Sequence, residues 1–127
     1  MVFNNIFHNN EIIAHAMRAT QIRNNVISHN IANVDVPGFN RIVVRFEDLL
    51  DRELTSAASQ NRAVNLANAT PEVRLFEGGL RSRLDGNTVD IEAEMVALFQ
   101  NSTRYEVMSM SVSNNFGRIN NVIASSI

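Results

Sequence analysis

Ile91, Leu98, Tyr105, Val112 and Ile119 stand seven residues apart. Two turns of an α-helix take about seven residues, so side chains at this spacing share one helical face. Met95, Met108, Phe116, Val122 and Ile123 fill neighbouring positions, and the apolar stripe is sustained over five repeats. The spacing predicts a helix from about Asp90 to Ala124, about 50 Å long. Asp90 is placed to cap its first turn, and Glu92 and Glu94 suit the positive end of the helix dipole. Gly117 is the weak spot within it.

A second helix is expected near the other end. Ile12, Ala19 and Val26 are seven apart, with Ile22 between them and His15 and His29 in the alternate slots. Together these six positions make a heptad seam. With no Pro or Gly before position 37, the pattern predicts a helix from roughly Asn9 to Asn33, about 35–40 Å long. Pro37 disfavours helix in the residue before it, and Gly38 permits a turn closed to other residues. Phe3, Ile6 and Phe7 form an apolar cluster ahead of this helix.

The middle is less regular. Residues 41–50 suit a short strand and then a short helix over Phe46, Leu49 and Leu50. Residues 55–70 are small, polar and weakly patterned, and read as a loose loop. Glu72 to Phe76 and Leu80 to Leu84 flank Gly78-Gly79, a hairpin pattern.

Composition removes several functions. A net charge of -2 is wrong for a nucleic-acid binder, which needs a dense cationic face. All 11 basic residues are Arg, and there is no Cys, which excludes disulfides, thiolate metal sites and Cys nucleophiles. His8, His15 and His29 lie 7 and 14 residues apart, so no two chelate within one helical turn. Asp85-Gly86-Asn87 lacks the spaced ligands of a calcium loop and reads as a turn. Glu92 and Glu94 point to different helix faces and make no acid/base pair. We expect no catalytic, metal-binding or cofactor-binding residues, no cofactor, no small-molecule substrate and no enzyme activity.

The C-terminal stripe carries more apolar surface than one partner helix covers, because Val96, Phe99, Val107 and Met110 lie outside the seam. Copies of the same chain are the simplest additional cover. An open heterologous contact repeated by rotation and translation gives a helical assembly.

Two segments carry a resemblance. Residues 28–39, SHNIANVDVPGF, resemble the SNIAN-x-x-TPGY box of the flagellar rod/hook axial protein family. Residues 85–95, DGNTVDIEAEM, resemble the DGN-x-VDLE-x-EM box of its small proximal rod subunits. Val36 and Phe39 stand where the family prefers Thr and Tyr, and the Pro-Gly turn is expected to survive the lost hydroxyl. The resemblance covers roughly 1–50 and 80–127. It implies a structural subunit of the proximal rod of the bacterial flagellar basal body, a tubular drive shaft that transmits torque in motility and surrounds the export channel. The implied assembly motif is Asn30, Ile31, Ala32, Asn33, Pro37, Gly38 and Phe39 with Asp85, Gly86, Asn87, Val89 and Asp90. The implied partners are copies of itself, rod subunits of the FlgC, FlgF and FlgG types, the rod-base adaptor FliE, the membrane ring protein FliF and the flagellar type III export apparatus. Export without a cleaved signal peptide to a rod in the periplasm is also implied, and the Phe3 cluster is then either an export element or an end that orders on a neighbour.

The expected fold is mainly α, with long N- and C-terminal helices paired as a coiled coil and a small irregular middle segment containing short β structure. Residues 1–38 hold the N-terminal helix and turn, 39–88 the middle and 89–127 the C-terminal helix. Expected packing positions are Ile12, Ala19, Ile22, Val26, Ile91, Met95, Leu98, Tyr105, Met108, Val112, Phe116 and Ile119. The competing readings are a FlgC-like sister subunit, a monomeric helical-hairpin adaptor and a peptidoglycan-acting enzyme, for which no paired carboxylates are in evidence.

Overall fold

The computed structural model describes residues 2–76 and 83–125, with side chains from residue 8 onward. Helix α1 spans Val2–Ala32, and helix α3 spans Ile91–Ala124. Between them lie strand β1 (Ile42–Arg45), helix α2 (Glu47–Ser59), a 3-10 turn at Leu66–Ala69 and strand β2 (Glu72–Leu75). The mainly helical fold with two paired terminal helices matches the expectation from sequence.

α1 starts seven residues earlier than the pattern indicated, because nothing before Pro37 breaks a helix. Its end is closed by Asn33, whose Nδ2 donates to His29 O at 2.7 Å. Gly38 then takes φ +72°, so the Pro-Gly turn forms with Val36 and Phe39 in place. α3 begins one residue after Asp90, whose carboxylate accepts from the N–H groups of Glu92 and Ala93.

α1 and α3 run antiparallel. Among the described residues three hydrogen bonds cross between them: Asn115 to Asn10 at 2.9 Å, Asn101 to Thr20 O at 2.8 Å and Asn30 to Glu94 at 3.2 Å. As one number rises the other falls, so the two chain ends share one end of the pair.

β1 and β2 pair antiparallel, Ile42 opposite Leu75 and Arg45 opposite Glu72. The strand expected over 72–76 is present as β2, and among the described residues it pairs with β1. The Gly78-Gly79 pair and residues 80–82 lie outside the described residues. A small core forms where Ala19 of α1 meets Phe46 and Ala69, with Ala16 and Leu50 against it.

The loose loop expected over 55–70 needs correction. α2 continues to Ser59, and the chain beyond it is held by one carboxylate. Glu53, 5% exposed, accepts from the two terminal guanidinium nitrogens of Arg62, from Asn65 N at 2.7 Å and from Asn68 Nδ2 at 3.0 Å. The Arg62 hydrogen bonds, then those of Asn65 and Asn68, hold its pKa down from 4.5 to about 2, although burial opposes this. A carboxylate with a lowered folded-state pKa stabilises the fold above the unfolded pKa, and that gain is lost as pH falls through the folded one. The stability gap between wild type and Glu53→Gln should therefore be full above pH 4.5 and close as pH falls towards about 2. Urea midpoints measured across that range check it; a gap independent of pH contradicts it.

Candidate functional site

The two sequence boxes meet in space. The α1 terminus carries the first and the start of α3 carries the second, and Asn87 ties them together. Fully buried, its Nδ2 points into the carbonyl oxygens of Asn33 (3.0 Å), Val34 (2.9 Å) and Val36 (2.8 Å). Its Oδ1 accepts from Val89 N at 2.8 Å, and its own N–H donates to Asp85 Oδ1 at 3.1 Å. One amide thus satisfies an exposed loop and the approach to α3 together.

Backbone contacts complete the junction. Gly38 N donates to Asp85 O at 3.0 Å and Thr88 N to Phe39 O at 3.1 Å. Gly86 has φ +81°, and a Cβ there would come within 3.7 Å of the Gly38 backbone. The two glycines therefore serve turns that L side chains rarely adopt, on strands of chain that run against each other. Phe39 also packs edge-on against His29, with ring centroids 5.7 Å apart. Of the box residues, Asn30, Asn87 and Val89 are buried, and Asp90 caps α3; Ile31 and Asn33 are half-buried, while Ala32 and Pro37 are exposed.

Asn30 extends the junction towards the sheet. Its amide donates to Ile42 O and accepts from Ile42 N at 2.8 and 2.9 Å, as a neighbouring strand would. The same Nδ2 reaches Glu94, a fully buried carboxylate whose other oxygen takes the Arg41 guanidinium. Arg41 also lies over the Phe76 ring, 5.3 Å from its centroid. α1, β1 and α3 are thereby joined by one buried ion pair and one amide.

The heptad positions divide. Ala19 is buried, and Ile12, Ile22, Val26, Leu98, Met108, Val112 and Ile119 are half-buried, as are His8 and His15. Ile91, Met95, Tyr105 and Phe116 are exposed. The alternate slots of the α3 register hold Glu94, Asn101 and Asn115 beside Met108, and the three polar ones make the cross-helix hydrogen bonds. Sequence reasoning missed these residues because it followed apolar side chains alone; counting three or four from each stripe residue finds them.

The outer side of α3 is apolar. Phe99 is 75% exposed, Met110 60%, Val96 57% and Val107 56%. Among the described residues no group of His, Asp or Glu could hold a metal ion, and no helix is long and apolar enough to cross a membrane.

Comparison with known proteins bears on this arrangement. Residues 12–40 match the family model described as flagella basal body rod protein. The chain is 33% identical to the flagellar basal body rod protein FlgB of Borrelia hermsii, over 94% of this chain and 98% of that one. It is 29% identical to the FlgB of Bacillus subtilis, over 87% and 89%. A shorter similarity, 42% over 52 residues, covers 11% of the flagellar hook protein FlgE of Treponema pallidum.

Proposed function

Because the chain belongs to the family of flagellar basal body rod protein FlgB, a family of structural rod subunits, we propose that it builds the proximal rod by packing the outer side of α3 against neighbouring subunits. As a structural rod subunit of the basal body it works mechanically, through rigidity and contact. The two boxes act as the assembly motif by fixing the end of α1 against the start of α3, which sets the direction in which the helix pair leaves the junction. Its neighbours are copies of itself and rod subunits of the FlgC, FlgF and FlgG types, with FliE and FliF at the rod base. It reaches the periplasm through the flagellar type III apparatus without a cleaved signal.

The observation that carries this reading is the exposed apolar side of α3. Four large side chains there are more than half exposed in the single chain. Burying such surface yields roughly 25 cal/mol per Å² before ordering costs. Phe99→Asp tests it. Phe99 touches little of its own chain, so unfolding stability should change by less than about 0.5 kcal/mol. Rods should nonetheless be absent from cells carrying only this variant. Normal rods with Asp at position 99 would sink the reading. Leu98→Asp is a poorer probe, because Leu98 is half-buried and the fold itself would suffer.

A further inference from the structure

A polar cleft opens between α1 and α3, lined by Thr20, Gln21, Asn24, Asn101, Ser102, Tyr105 and Glu106, with a volume of about 340 Å³. Asn101 sits at its base, 3% exposed. Its Nδ2 donates to Thr20 O, but its buried Oδ1 receives no donor among the described residues. A buried acceptor left without a donor costs about 1–3 kcal/mol, so the site calls for one. At the mouth stands Glu106, an exposed carboxylate with no ion pair among the described residues. Tyr105, next to Glu106 in the lining, offers an aromatic ring there. The lining contains an orphan acceptor and a carboxylate but no cation.

We propose that this cleft receives an arginine side chain from a second copy of the chain, an inference that rests on the rod reading above. A guanidinium supplies five donors on a planar group and a long apolar stem, which suits a carbonyl oxygen at the base, a carboxylate at the rim and an aromatic beside them. The chain has the ligand on its own surface: every basic residue is Arg. Arg18, Arg52 and Arg118 are exposed and have no ion-pair partner among the described residues. Arg18 cannot serve its own cleft, because side chains lean towards the helix N-terminus and carry it away from Gln21 and Asn24. Made heterologously, the contact leaves each copy with one cleft and one arginine to offer. Repetition then propagates without closing on a pair, as a polar rod requires.

Charge exchange in the full chain tests this, with rods isolated from cells that carry only the variant. Glu106→Arg should abolish rods that wild type forms. Combining it with Arg18→Glu, Arg52→Glu or Arg118→Glu should restore rods for one of the three and so identify the donor. If Glu106→Arg rods are normal, or if none of the three exchanges restores them, the inference is overturned while the rod reading stands. Failure of wild type itself to enter rods would strike the rod reading instead.

Discussion

Asn87→Ala should lower the stability of the chain by about 2–4 kcal/mol, or roughly 10 °C in the thermal midpoint. The substitution removes the donor shared by the carbonyls of Asn33, Val34 and Val36, and the acceptor for Val89 N. Some of these groups lie near the surface and can turn to water; the interior ones cannot, which keeps the figure below the sum of the separate losses. The effect should reach beyond local loosening, since this amide is where the end of α1 is fixed to the start of α3. Amide exchange should therefore speed up in both segments, residues 33–39 and 85–93. Faster exchange confined to one of them would mean that the box residues act separately. Asn87→Asp keeps the acceptor but sets a carboxylate against three carbonyl oxygens, so it should be no better than Ala at neutral pH.

Arg41→Ala should cost about 2–4 kcal/mol, somewhat under the 3–5 of a fully enclosed pair because Arg41 is about a quarter exposed. The substitution strands the Glu94 carboxylate, which is wholly buried and, among the described residues, keeps only Asn30 as a partner. Adding Glu94→Leu should recover much of the loss, because the stranded charge is then gone. Chemical denaturation of the two single variants and the double variant measures this. If the double variant is as unstable as the sum of the singles, the ion pair is not the source of the effect.

How much of this was legible beforehand follows from the range of each interaction. α3 could be read to within a residue because its signal is local: a seven-residue spacing and a capping Asp90. The end of α1 was equally readable from Pro37 and Gly38. The region after α2 was not, since its order comes from Glu53 reaching partners nine to fifteen residues ahead, and weak patterning gives no hint of that. The pairing of β2 with β1 was out of reach for the same reason, since the two strands stand about thirty residues apart. The two boxes were visible as separate helix-ending and helix-starting devices. Their union through Asn87 spans more than fifty residues of sequence and exists only in three dimensions. The polar rungs at Glu94, Asn101 and Asn115 were within reach, because the register that named Leu98 and Val112 also names them.

The antiparallel course of α1 and α3 gives the molecule a directional strength. Its covalent crossover lies at the junction end, while both termini leave from the other. Tension that draws the termini apart loads the rungs singly, Asn10 to Asn115 first, and opens the pair as a zipper opens. Strain directed along the helices loads every rung simultaneously and must slide one apolar seam over another. A subunit built this way yields to peeling and resists shear, the load a rotating shaft imposes.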